Sequence, residues 1–225
     1  MGRPQAEAAA EAIVGLCTHR LPAFLRTDDP ARDIQVLSPT KKAGAGVYQL
    51  NSMLQAALNP PAPRKPEIRY GETSFRLGDK VMHVKNNYQL AWKTDDGVEG
   101  EGVFNGDVGF VTHVDTEDRI LTVRYDDERT VEYDYQQLEE LELAYCLSVH
   151  KSQGSEFPCV VMPVVGGPPR LLTRNLFYTA LTRARKLVVL VGREDAIAAM
   201  VRNNHIAARF TTLGQRLAEE IGVRS

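Results

Sequence analysis

At 225 residues, with 43% hydrophobic and 25% charged side chains, the chain has the composition of a soluble globular protein, long enough for one large domain or two small ones. A formal net charge of −2 excludes a simple polycation that coats nucleic acid. No apolar run approaches the ~20 residues that span a bilayer, so no membrane partner is expected.

In chain order, the start is Ala-rich, and Glu7 and Glu11 interrupt it, unlike a secretory signal. Cys17, Cys146 and Cys159 lack metal-ligand or disulfide spacing, which points to a reducing compartment, most simply the cytoplasm. Residues 3–26 are predicted as a helix with a break near Pro22. Residues 33–38 (DIQVLS) are predicted as a buried strand ending at Pro39. The loop PTKKAGAG follows, then a helix at 47–58 with Val47, Leu50, Leu54 and Leu58 at helical spacing, stopped by Asn59-Pro60. Strand, Lys- and Gly-containing loop and helix outline a phosphate cradle, in which Lys42 is a candidate phosphate contact or a solvated lysine. The sequence GxxxxGK[ST] occurs nowhere in the chain.

NPPAPRKPEIRYG is expected as an extended connector. From Phe75 the pattern changes to short alternating segments, VMHVKNN, DVGFVTHVD, RILTVRYD and RTVEYDY, separated by turns. These predict a small β-barrel. Residues 101–142 hold 3 Lys and Arg against 13 Asp and Glu, whereas residues 143–225 hold 11 against 5, so two units with different partners are expected. Asp126 and Asp127 follow a strand that alternates apolar with polar residues, which argues against a metal-binding acidic pair at the end of a buried parallel strand. Tyr88 and Trp92 are candidates for stacking on bases or for the barrel core.

Residues 143–192 carry the densest pattern. The apolar run 143–147 gives way to the polar segment 148–156, and a second apolar run, 159–165, ends at Pro163 and Gly166-Gly167. At about 100° per residue, Leu176, Phe177, Ala180, Leu181 and Ala184 fall on one helical arc. Arg174, Tyr178, Thr182 and Arg185 fall opposite, and Arg183 lies at the edge of the arc. A strand at 187–191 closes at Gly192, and helices are expected at 194–201 and 209–221.

SVHKSQGSEF resembles motif V, and YTALTRAR resembles motif VI, of the UvrD/RecD-like superfamily 1 DNA helicases, with the RecD-like branch most similar. Order and spacing agree over about residues 33–192. The resemblance implies an α/β fold: a RecA-like parallel-sheet domain, the second of the helicase core, at residues 33–75 and 141–225. A Src-homology-3-like barrel would be inserted at 76–140, with a helical lead-in at 1–32. It also implies that Arg183 is an arginine finger for the γ-phosphate of ATP with Mg²⁺, shared with a P-loop RecA-like domain in cis or in trans. Gln153, Gly154 and Glu156 would face the nucleotide, and Ser148, His150 and Lys151 single-stranded DNA; 5′→3′ translocation is the family's polarity. With neither P-loop nor acidic box, the chain by itself is expected to lack ATPase activity. The alternative is a non-catalytic DNA-binding or protein-interaction module derived from a helicase.

Overall fold

The computed structural model describes residues 3–42 and 44–205; the helix expected at 209–221 lies outside them. The chain opens with α1 (Arg3–Gly15) and continues through a π-helical turn, Leu16–Arg20, into α2 (Leu21–Leu25). The wide turn has a local cause. Pro22 has no N–H, and its ring would strike the carbonyl four residues back, so the preceding turn loosens and Leu21 N–H reaches Leu16 O. The break expected at Pro22 is thus a bulge within one helical run. A short helix, α3 (Pro30–Asp33), is capped by Asp29, whose carboxylate accepts from Arg32 N–H.

β1 (Ile34–Ser38) is buried at all five positions, and α4 (Val47–Leu58) turns Val47, Leu50 and Leu54 inward, as a strand covered on both faces and an amphipathic helix require. The stretch after α4 is a connector only in its first half. β2 (Glu67–Tyr70) and β3 (Thr73–Arg76) form an antiparallel hairpin through Gly71, whose φ of +58° suits glycine. Ile68 and Phe75 pack into the barrel core, so packing groups this hairpin with the barrel, ahead of the boundary expected at 75/76.

The barrel strands are β4 (Lys80–His83), β5 (Asn87–Lys93), β6 (Glu99–Val103), β7 (Val108–Asp115), β8 (Ile120–Tyr125), β9 (Thr130–Tyr133) and β10 (Leu141–Leu143). They join antiparallel in the order β10-β4-β7-β8-β9-β5-β6. Val81, Leu90, Val103, Val111, Leu121, Val123 and Tyr133 fill the interior. The apolar run 143–147, expected as one strand, is divided. Leu143 ends β10 in the barrel, buried Ala144 and Tyr145 turn the chain, and β11 (Cys146–Ser148) joins a different sheet.

That second sheet is parallel, in the order β11-β1-β12-β13, completed by β12 (Phe157–Val164) and β13 (Ala184–Gly192), with α5 (Arg174–Leu181) and α6 (Glu194–Arg202) beside it. One face packs Val36 and Val161 against Ala10, Ile13, Leu50 and Leu54 of α1 and α4. The other packs Leu37, Val160 and Met162 against Leu176, Phe177 and Met200, and the barrel adds Met82 to it. Pro163, expected to end its strand, lies inside β12, beyond Val161, the last residue with a β1 partner, so the missing N–H removes no bond of that ladder. Cys17, Cys146 and Cys159 are buried free thiols of this core, and burial pushes Cys159 up to about 11. The parallel α/β domain with an inserted barrel expected from the sequence is the architecture found.

Candidate nucleotide-facing and DNA-facing site

Sheet register fixes where each candidate residue stands. Ser38 and Ser148 are partners at the carboxyl ends of β1 and β11, whereas Phe157 and Ala184 are partners at the amino ends of β12 and β13. The polar segment 149–156 therefore runs from the carboxyl end of the sheet back to its amino end. Val149 and Ser152 pin it from beneath: both are buried, and Ser152 Oγ donates to Val149 O at 2.8 Å. Gly154 sits in the left-handed region at φ +89° with nothing within 4 Å of a built Cβ, so glycine is needed there for conformation and not for space.

Arg183 follows α5 instead of riding on it. Helical projection placed it at an arc edge, but α5 ends at Leu181 and the chain enters β13 at Ala184. Its half-buried guanidinium spends every donor type on neutral acceptors. Nε donates to Thr179 O, Nη1 to Ser155 O and Nη2 to Thr182 Oγ1, each at 3.2 Å. Its own carbonyl accepts from Phe157 N–H at 2.8 Å. The segments around Ser155–Phe157 and Arg183 are thereby tied at the amino end of the sheet. Glu156 is beside Arg185, not Arg183: Arg185 Nε lies 3.0 Å from its carboxylate in an exposed pair. Since Arg185 belongs to β13, the opposite-helix-face relation expected from the sequence does not apply.

Ser148 and Lys151 close a tight turn, with Lys151 N–H donating to Ser148 O at 2.9 Å. The Lys151 ammonium is held by Glu142 of β10 at 2.8 Å, a partner that sequence alone did not supply. His150 and Gln153 share a cleft of about 320 Å³ with Arg170, Thr173 and Thr179. Exposed Lys42 lies in the loop that leaves Ser38, whose Oγ donates to Ala45 O at 2.8 Å. That loop is at the Ser148 end of the sheet, opposite Arg183. Register thus puts Lys42, given by the sequence as a phosphate contact or a solvated lysine, at the opposite end of the sheet from Arg183.

Asp126 and Asp127 are turn residues paired with Arg32 and Arg129. Tyr88 is 67% exposed and meets Phe104 edge-to-face, whereas Trp92 lies against the barrel core over Gly100, where a Cβ would fall 2.4 Å from the indole.

Sequence reasoning missed a buried polar joint between barrel and sheet. The Asp79 carboxylate accepts from Gln55 Nε2 and Asn59 Nδ2, both at 2.6 Å, from Arg76 N–H at 2.7 Å and from Tyr145 OH at 2.9 Å. Burial raises its pKa against the opposing effect of those bonds. Lys80 Nζ, enclosed beside it, donates to Ala31 O at 2.8 Å and Gln35 Oε1 at 2.9 Å, and Gln35 Nε2 donates onward to Ala144 O and Tyr145 O. Burial pushes Lys80 down to about 8. An Asp-Lys pair at a strand start carries no periodic signal, so only the tertiary contacts find it.

A four-stranded parallel sheet crossed by a polar loop, with an inserted antiparallel barrel, makes a parallel α/β domain of the RecA-like kind. Residues 50–125 match the profile described as the ATP-dependent RecD-like DNA helicase SH3 domain, and residues 143–191 that of the UvrD-like helicase C-terminal domain. The chain is 37% identical over 186 residues to the ATP-dependent RecD2 DNA helicase of Deinococcus radiodurans, covering 82% of this chain and 23% of that protein. It is 31% identical over 183 residues to the RecBCD enzyme subunit RecD of Mycolicibacterium smegmatis, covering 81% and 29%. Bacteroides Pif1 bound to single-stranded DNA superposes with a TM-score of 0.45 at 21% identity, over 84% of this chain and 46% of that one, a likeness too loose to assign a residue. The chain belongs to the RecD-like superfamily 1 helicases and matches their C-terminal region. It spans about a quarter of the length of these curated relatives. No helix among the described residues is long and apolar enough to cross a membrane.

Proposed function

We propose that this chain is the second core domain of an ATP-dependent DNA helicase, closing on ATP held by a P-loop RecA-like domain in cis or in trans. The observation that carries the reading is the tie between Arg183 and Ser155 O at 3.2 Å. A guanidinium bonded only to neutral oxygens exchanges them readily for phosphate oxygens, since charge-assisted bonds are roughly twice as strong. The donors present suit one anion-binding wall of a nucleotide site. Mg²⁺ ligands are assigned to the partner P-loop domain, as the family resemblance implies. When bound, ATP and Mg²⁺ supply the phosphoryl transfer and neutralise part of its charge. Arg183 meets the charge that develops on the γ-phosphate. Gly154, at φ +89°, sets the path of the crossing loop, and Gln153, Gly154 and Glu156 are assigned to its nucleotide-facing side.

The same loop begins at Ser148. Drawing Arg183 toward phosphate releases Ser155 O and frees the loop that carries His150 and Lys151, so nucleotide state reaches the DNA grip through one segment. Lys42 joins that grip by position, and Lys151 must leave Glu142 to meet a DNA phosphate. Translocation 5′→3′ is the polarity proposed from the family. Photo-crosslinking tests the two-ended arrangement in a complex with a P-loop domain. A γ-azidoanilide ATP should label near Arg183, and thio-thymidine DNA near residues 148–151. Labelling of one end by both probes overturns the reading.

A further inference from the structure

An opening of about 680 Å³ lies between β5 and β9 and is bordered by the start of β6. β9 pairs with β8 along its whole length, from Thr130 to Tyr133. On its other side it meets β5 only at Thr130 and Lys93. β5 in turn has an irregular register with β6 between Asn87 and Ala91. Such an irregularity bends and twists a strand, which carries residues 89–92 away from β9. Among the described residues, two strand edges therefore face each other across a cleft without ladder partners. Facing unpaired edges are a template for an added extended chain.

The chemistry of the cleft says which chain. Leu90, 6% exposed, marks the core side. Exposed Glu99, Glu101 and Glu132 stand on the outer side with a single cation, Lys93. None of these four has an ion-pair partner among the described residues. We propose that this opening takes an extended basic segment of a partner protein as an added strand, with apolar side chains toward Leu90 and alternate Lys or Arg toward the three carboxylates. Single-stranded nucleic acid is the wrong occupant, because like charge repels its phosphates.

Trp92, at the edge of the opening, is the only tryptophan of the chain and reports occupancy directly. The full chain is titrated with a ten-residue peptide of alternating Val and Lys while Trp92 emission is followed. Controls are the same peptide with alternate backbone amides methylated, a Val–Glu peptide and a ten-nucleotide oligothymidine. A saturable change with the Val–Lys peptide alone supports strand addition. The Glu101→Lys/Glu132→Lys variant, altered only at exposed positions, should bind that peptide about tenfold or more weakly. Equal binding by the methylated peptide, a stronger response to oligothymidine, or no response up to millimolar Val–Lys peptide would overturn it.

Discussion

Replacing Lys80 by Met tests the buried joint that welds barrel to sheet. Lys80 is 2% exposed, and its ammonium has two neutral acceptors, Ala31 O and Gln35 Oε1. Burial pushes its pKa from the ordinary 10.5 down to about 8. The sign follows from proton counts. Between pH 8 and 10.5 the unfolded chain binds more protons than the folded one, so stability rises with pH across that window. Below pH 8 both states are protonated and the full cost of enclosing the charge remains. At 1.36 kcal/mol per unit, the gain across the window is about 3 kcal/mol. Met has similar bulk and does not titrate, but it leaves two buried acceptors without a donor, at roughly 1–3 kcal/mol each. The two proteins should therefore differ little at pH 7 and diverge in alkali. Urea unfolding of both at pH 7.5 and pH 10 measures the difference, with the wild type gaining on the variant. Parallel pH dependences would refute the reasoning, because a solvated Lys80 has no reason to titrate differently on folding.

Asp79→Ala strands four donors, on Gln55, Asn59, Arg76 and Tyr145, and should cost about 3 kcal/mol or more, read from the denaturation midpoint. Excising residues 77–143 behind a short linker removes Met82 from the sheet core and the donor to Gln35; the remainder should lose its single sharp calorimetric transition, whereas a retained one would make the barrel dispensable. Gly154→Ala forces alanine to φ +89° and should cost roughly 1–2 kcal/mol in thermal stability, with a larger fall in DNA-stimulated turnover because the strained turn lies in the loop joining both ends of the site.

Elements with a strong period are legible in the sequence. β1 and α4 announce themselves because Ile34, Val36 and Leu37 make a short apolar run and Val47, Leu50 and Leu54 recur at helical spacing, and the crossing loop does so because a nine-residue, mainly polar segment separates two apolar runs. The run at 143–147 is not, since an unbroken apolar pattern is the same whether a chain stays in one sheet or changes sheets at Ala144-Tyr145. The hairpin Glu67–Arg76 had a signal in the alternation of Ile68, Tyr70 and Phe75 around Gly71, masked by the prolines before it. The candidate site was named by motif, but its division into two ends comes from register. Strand pairing puts Ser38 beside Ser148 and Phe157 beside Ala184, and only that moves Lys42 away from Arg183.

The central claim is that Arg183 is a finger, and the most direct measurement is steady-state ATP hydrolysis by this chain reconstituted with a P-loop domain and single-stranded DNA. Arg183→Ala should reduce turnover about 10³–10⁵-fold, the range arginine fingers contribute, while nucleotide binding falls far less. Arg183→Lys should restore only part of it, because a point charge does not reproduce the guanidinium fork. Arg185→Ala, which loses one exposed pair with Glu156, should cost little. Near-normal turnover in Arg183→Ala together with abolished turnover in Arg185→Ala would contradict the account.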